Sequence, residues 1–317
     1  MVMRDKCVRT ISPLRPTQID GSSVGMKPTN CSDVILIPDE KSLFYDPIRE
    51  MTSVFAFIKN PDGSDINEDY RTIAKKAMEQ NNETKGSLFG IEPEAYVLDK
   101  SNLLLGINKK LSDIKQGEYY NSLEPIDTTF KIREKIVEKL LEAGFSVESH
   151  HSEVGPSQFE ISWECSNLLD TCDKFMLYKY IAENICNQMG CEISFSPKKY
   201  EYFNGSGLHH HVSLPCFSID KKYMMAFANG LIAHYDDLLA VCCVSDKSPA
   251  RLIEGFEAPT KDNNAIGLYD RTKTIRIPYG ENRIEYRLPD PSCLIYKFLP
   301  LMLKYGLEGI DKLNNAI

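Results

Sequence analysis

The chain has 317 residues, 42% hydrophobic and 26% charged, enough for a substantial buried core in one large domain or one large and one small. Its formal net charge of -8, without any long basic run, argues against nucleic acid as a partner, because a phosphate backbone rewards clustered Lys and Arg. Residues 1–13 carry no apolar stretch of signal-peptide length, and the longest apolar candidate, 223–243, is interrupted by His234, Asp236 and Asp237, so a cytoplasmic protein with no membrane segment is expected.

Short strands are expected at 34–38, 42–46 and 53–58, separated by turn residues. The run Asn60-Pro61-Asp62-Gly63-Ser64 stacks turn formers and marks an expected boundary between a first domain, 1–64, and a second, 65–317. A helix follows near 68–80, and beyond it strands alternate with long helices. The clearest helix is 127–143. Asp127 can cap it, Phe130, Ile136, Val137, Leu140 and Leu141 recur at helical spacing, and Gly144 ends it. Others are expected at 167–189, 221–243 and 293–313. The ten cysteines form no CxxC pair. Cys165, Cys172, Cys186, Cys242 and Cys243 sit among apolar residues and read as small buried hydrophobes.

Side chains alternate across a strand, so residues i and i+2 share a face. Four segments place ionisable groups at that spacing: Glu92-Pro93-Glu94, Gln158-Phe159-Glu160, Leu208-His209-His210-His211-Val212 and Arg283-Ile284-Glu285-Tyr286-Arg287. Burying unpaired charge is prohibitive, so either these faces are solvated or their charges meet one another and something cationic. Four such segments favour the second reading. The candidate ligands are Glu92, Glu94, Glu153, Glu160, Glu285 and His209, an oxygen-rich set suited to Mg²⁺ or Mn²⁺ rather than zinc. Surplus carboxylate beside Arg251, Arg271, Arg276, Arg283 and Arg287 points to phosphate chemistry, with metals on phosphate oxygens and Arg forks holding them. The chain contains no P-loop sequence, so a nucleotide would be held otherwise. The turn Asn204-Gly205-Ser206-Gly207 could bring backbone close to a substrate, and a plain hairpin turn is the alternative.

In their order, these segments resemble glutamine synthetase, over roughly residues 17–311. Ile19-Asp20-Gly21-Ser22-Ser23 is similar to that family's Asp-loop, and Phe89-Gly90-Ile91-Glu92-Pro93-Glu94 to its first metal-binding strand. The segment from His150 through Glu153 to Glu160 is similar to the one supplying two more Glu ligands, and Asn204 through His209 to Ser213 to the ATP-binding signature. Arg251 through Glu257 to Pro259, and Asn282 through Glu285 to Pro291, complete the set.

The resemblance implies an α+β fold: a partial β-grasp N-terminal domain, and a catalytic domain with a curved antiparallel sheet flanked by helices. One metal would be held by Glu94, Glu153 and Glu160, the other by Glu92, His209 and Glu285. Glutamate would occupy Glu94, Asn204, Gly205, Arg251 and Arg287. Arg271 and Arg287 would hold the transferring phosphoryl group. His211, Ser213, Arg276 and Arg283 would contact ATP. Ammonium would sit among Asp20 of the partner subunit, Ser23, Tyr120 and Glu153, with Glu257 closing the site and taking a proton. The implied reaction activates the glutamate side-chain carboxylate as an acyl phosphate before ammonia attacks it, in a homo-oligomer whose sites lie between subunits.

Compared with that family, about half of the β-grasp domain and the C-terminal extension are expected to be missing. The 278–283 connection is short, with Gly280 near a position where relatives carry a basic residue. Two residues are inserted between Glu257 and Arg271, and Glu254 stands where proline is frequent. Two other readings stay open at this point. One is a γ-glutamyl ligase that takes an alkylamine or polyamine, which would need an apolar channel where ammonium needs close carboxylates. The other is a catalytically weak relative with a structural or regulatory role.

Overall fold

The computed structural model describes residues 3, 6, 13–80, 85–107, 113–115, 117–260 and 262–316. Most of the 1–13 segment read above for a targeting signal therefore lies outside the described residues.

Two sheets organise the chain. The first is three-stranded and antiparallel, in the order β1 (Thr17–Asp20), β2 (Asp33–Asp46), β3 (Met51–Lys59). The two strands expected at 34–38 and 42–46 are one strand. A shift of register between Pro38 and Leu43 lets β2 pass the proline, which cannot donate to the ladder, without ending. After the 60–64 turn comes α1 (Tyr70–Gln80).

The second sheet carries eight strands: β4 (Leu88–Leu98), β5 (Val147–Ser152), β6 (Gln158–Trp163), β7 (Glu192–Ser194), β8 (Leu208–Ser213), β9 (Ile266–Leu268), β10 (Ile275–Ile277) and β11 (Ile284–Tyr286). They run in the order β5-β6-β4-β8-β11-β10-β9, with β7 on β4, and every pairing is antiparallel except the edge pair β9–β10. Pro93, inside β4, sits at the last rung with β8, where the ladder on that side passes to β7. A proline is tolerated at such a break.

The helices are α2 (Phe130–Glu142), α3 (Leu168–Gln188), α4 (Pro215–Ile219), α5 (Lys221–Ala233), α6 (Tyr235–Cys242), α7 (Ser248–Arg251) and α8 (Ile295–Asn314). Asn167 caps α3 by accepting from Asp170 N. For α2 the cap position is Thr129 rather than Asp127. Asp127 instead accepts from Thr129 N and closes a buried ion pair with Arg133 at 2.8 Å. The single helix expected at 221–243 is two, broken at His234, whose ring stacks on Tyr305 of α8 with centroids 3.9 Å apart. Gly230 of α5 permits that packing, since a Cβ there would lie 2.1 Å from Tyr305 O. Among the described residues no helix is long and apolar enough to cross a membrane.

The core lies between the sheet and helices α3 and α8. Phe89, Ile91, Ala95, Phe159, Ile161, Val212, Ile284 and Tyr286 face it from the strands. Among the expected buried thiols, Cys172, Cys186 and Cys242 are buried and Cys243 partly so, but Cys165 is exposed in the irregular stretch between β6 and the bridge at Ser166.

A buried charge cluster joins the small sheet to the helices. Arg71 of α1 pairs with Asp173 of α3 at 2.7 Å and with Asp39 of β2 at 2.8 Å, while its guanidinium lies 4.4 Å over the Phe57 ring of β3. Tyr296 of α8 donates to the same Asp173. Removing one member of a buried pair strands the other charge. Asp173→Ala is expected to lower the unfolding free energy by about 3–5 kcal/mol in chemical denaturation.

Candidate active site

The strand register puts the charged residues on one face. Residues directly opposite in an antiparallel pair point the same way, as do i and i+2 within a strand. His151 of β5 lies opposite Glu160 of β6, and Glu160 opposite Glu94 of β4. Glu92 of β4 lies opposite His209 of β8, and His211 opposite Glu285 of β11. Glu285 is in turn opposite Arg276 of β10. The intervening residues face the core, among them His210, which packs on Phe298 of α8 and is pushed down to about 3 by burial.

His209 sits at the centre. Its Nδ1 is 3.6 Å from Glu92, 3.8 Å from Glu94 and 3.9 Å from Glu285. Burial pushes its imidazole down and Arg287 adds to this, against the pull of the three glutamates. His211 Nε2 is 2.8 Å from Glu92, and Arg283 donates to its Nδ1. Burial alone would raise the Glu92 carboxyl, but His211 and His209 overcome it and hold it well below the usual carboxylate range. Glu285, fully buried, is held at about 2: burial raises it, and His209, Arg287 and His211 outweigh that. Arg276 and Arg287 both close ion pairs onto it.

The other half of the cluster is short of positive charge. Burial, with the charges of Glu94 and Glu160, pushes Glu153 well above its ordinary value. Glu160 is pushed up to about 7 by burial, with Glu92 and Glu94 adding to it against the His151 hydrogen bond. His151 bridges the pair, with Nδ1 3.6 Å from Glu153 and Nε2 3.4 Å from Glu160, and is pushed up to about 9 chiefly by its hydrogen bond to Glu160. Ligand atoms fall within 4.8 Å of one another in three sets: Glu92, Glu160 and His209; Glu92, His211 and Glu285; and His151, Glu153 and Glu160. Crowded carboxylates driven towards protonation are what a hard divalent cation relieves, so the donor set fits Mg²⁺ or Mn²⁺.

A narrow pocket of about 30 Å³ opens beside the cluster, between Glu94, Glu153, Asn204, Gly205, Glu257 and Arg287. The expected glycine turn is an irregular segment, 204–207, that leads into β8 and shapes one wall. Gly207 N and Gln158 Nε2 donate to Glu94 Oε2 at 2.9 and 3.1 Å, and Gln158 also reaches Gly205 O. Glycine is required for close approach here: a Cβ at Gly205 would lie 2.5 Å from Pro197 O, and one at Gly207 2.7 Å from His209 Nε2. Arg251 is buried with its guanidinium on the Leu288 and Arg287 carbonyls, at 2.8 and 3.0 Å. Glu257 is exposed at the mouth with φ 56, and its carbonyl accepts from Arg287 at 3.1 Å.

The remaining expected residues lie around this centre or apart from it. Ser213 bonds Asn282 O at the far end of β8. Arg271 is exposed, its carbonyl accepting from Arg287 Nε at 3.0 Å. Tyr120 packs edge-on against His151, and burial together with Glu153 raises its hydroxyl. Asp20 ends β1 and Ser23 lies in the short 3-10 turn after it, the two bonded to each other at 2.6 Å; among the described residues no ion pair joins Asp20 to the cluster. Two contributors lay in segments the sequence reading singled out but were given no role there: His151, which bridges Glu153 and Glu160, and Gln158, which orients Glu94. A larger cavity of about 470 Å³ lies along β5 beside Leu123, Phe130 and Arg133, but that arginine is already committed to Asp127 and Thr129.

Comparison with known proteins identifies the family. The family described as "Glutamine synthetase, catalytic domain" matches residues 67–316. Glutamine synthetase of Frankia alni is 32% identical over 92% of this chain and 71% of its own length. A protein named 3-hydroxylaminophenol mutase from Cupriavidus pinatubonensis is 31% identical over the same shares. A cryo-EM structure of Plasmodium falciparum glutamine synthetase superposes with a TM-score of 0.82 at 25% identity, covering 93% of this chain and 66% of that one. The chain thus spans roughly two thirds to seven tenths of the length of these proteins.

A cation entering the Glu153–Glu160 half must displace protons. Both carboxyls are raised, so affinity rises with pH and protons are released on binding. One group near 7 alone gives about tenfold tighter Mn²⁺ binding at pH 8 than at pH 6. Calorimetric titration in buffers of different ionisation enthalpy should show both effects.

Proposed function

Because the chain belongs to the glutamine synthetase family, we propose that it joins ammonia to the γ-carboxylate of L-glutamate through γ-glutamyl phosphate, converting ATP to ADP and phosphate. The observation carrying this reading is the gathering of Glu92, Glu94, Glu160, Glu285 and His209 on one sheet face, with Glu153 just past the end of β5, next to paired arginines and a small polar pocket.

In this reading glutamate occupies the site walled by Glu94, Asn204, Gly205, Arg251, Glu257 and Arg287, whose free space of about 30 Å³ must widen to admit it. Glu94 faces the substrate's ammonium, and the Gly205 backbone is close enough to select for size. ATP lies along β8, β10 and β11, against His211, Ser213, Arg276 and Arg283, and brings its terminal phosphate to Arg271 and Arg287. Forked Arg donors suit developing phosphoryl charge better than a point cation does. Glu92, His209 and Glu285 would hold one divalent cation, Mg²⁺ or Mn²⁺, and Glu94, Glu153 and Glu160 the other. When bound, such cations supply charge neutralisation at the phosphate oxygens.

Ammonium is drawn to Glu153 and Tyr120, where the carboxylate favours a small cation over a bulky amine. Asp20 of the partner subunit completes that pocket in a homo-oligomer, and Ser23 comes with it. Asp20 accepts from Ser22 N, Ser22 Oγ and Ser23 Oγ, which holds its carboxyl well below the usual range and keeps it anionic at the exposed turn. We read residues 1–64, around the three-stranded sheet, as the partial β-grasp domain that presents this turn, and 65–317 as the catalytic domain. Glu257, at the pocket mouth, takes the proton that ammonium loses and keeps water from the acyl phosphate.

Phosphate release from glutamate and ATP should be stimulated by ammonium far more than by methylamine, ethanolamine or a polyamine. Equal rates with and without every amine would contradict the reading. Glu257→Ala should lower kcat with ammonium by roughly 10²–10⁴-fold, the range for a lost general base, with a smaller change in glutamate binding.

A further inference from the structure

Lys198 is buried, at 6% exposure, one turn before the glycine loop. Among the described residues no carboxylate lies within ion-pair distance of it. Its Nζ donates to Phe203 O at 2.7 Å and sits 3.7 Å over the centre of the Phe256 ring. Glu201 is near enough to act on it through its charge but not to pair with it, and a buried ammonium without a direct ion pair is unfavourable, whereas a methionine would fill the same space without that cost. What the charge adds is directional: a desolvated cation over an aromatic face fixes that ring.

Phe256 is the residue before Glu257. Its carbonyl accepts from Asn204 Nδ2 at 3.4 Å, and the next carbonyl, that of Glu257, accepts from Arg287 at 3.1 Å. Gly255 and Glu257 both have positive φ, at 93° and 56°. For Glu257 this left-handed conformation is strained and persists only when its surroundings hold it. Two hydrogen bonds hold the carbonyls, and Lys198 holds the ring between the two positive-φ positions.

We propose that Lys198 is a positioning residue that seats the 253–258 segment on the glycine turn, so that Glu257 is presented at the pocket mouth. Lys198 grips both parts at once, Phe203 O on the turn side and the Phe256 face on the other. The seat itself is geometric and stands apart from the ligase assignment. Its consequence for turnover rests on that assignment: a loosened segment admits water, so γ-glutamyl phosphate is hydrolysed to glutamate and phosphate instead of being passed to ammonia.

The test uses the full-length protein with Lys198→Met, Lys198→Arg and Phe256→Leu. Amide hydrogen exchange at 253–258 should rise roughly tenfold in K198M and F256L, the scale of one desolvated cation–π contact, and stay near wild type in K198R. The K198M/F256L double variant should add nothing beyond either single change. Exchange in the strands of the large sheet should not move, which separates loss of the seat from loss of the fold. With substrates present, K198M should release more phosphate than it forms glutamine, and K198R should restore the ratio. Unchanged exchange at 253–258 in K198M, or a further rise in the double variant, overturns the proposal. Raised exchange with no phosphate release from any variant or from wild type leaves the seat standing and overturns the ligase reading instead.

Discussion

Carboxylates repel one another, and a fold that gathers five of them at one sheet face, three buried and two half-buried, must supply positive charge at the same place. That requirement shapes the chemistry of this protein. The face is divided by how it is met. Around Glu285 and Glu92 the chain provides its own cations and donors, Arg276, Arg287, His209 and His211, and the acids are held ionised. Around Glu153 and Glu160 the one cationic group in ion-pair reach among the described residues is His151, and, although Val154 N also donates to Glu153, the acids are driven towards protonation. The unbalanced half is where an external cation gains most, and it borders the side on which ammonium is proposed to enter.

The arrangement depends on features that carry no charge. Register does the placing: one residue of slip in β6 or β8 would turn Glu160 or His209 into the core. That slip is prevented by the opposite face, where Phe159, Ile161, His210 and Val212 pack on the helices. Gly205 and Gly207 let the 204–207 turn come close enough for its backbone to bind Glu94 and Gln158. Arg251, whose length and charge suggest a substrate contact, is tied to the carbonyls that follow β11 and steadies the pocket wall as well.

Much of this was legible in the residue order, and the rest was not for physical reasons. Period-two alternation marked Glu92, Glu94, Glu160, His209 and Glu285 because strands offer one face to the core and one to the site. Alternation within a strand says nothing about which strands become neighbours, so His151 facing Glu160, and Arg276 facing Glu285, emerge only from the pairing. Lys198 was invisible for the same reason, since the ring it covers lies 58 positions further on. Local patterns also mislead where tertiary packing intervenes. Apolar periodicity runs straight through His234, but the stack on Tyr305 breaks the helix there. Proline 38 reads as a strand end, and a bulge carries β2 past it. Cys165 has apolar neighbours in sequence and open space in the fold.

The account stands on cations bridging the glutamates of this one face. Crystals grown with Mn²⁺ and measured for anomalous scattering address it directly. The prediction is two strong peaks in the cleft, one among Glu92, His209 and Glu285 and one among Glu94, Glu153 and Glu160. Peaks confined to the protein surface, or a cleft in which His151 and the glutamates keep their present contacts at saturating Mn²⁺, would contradict it.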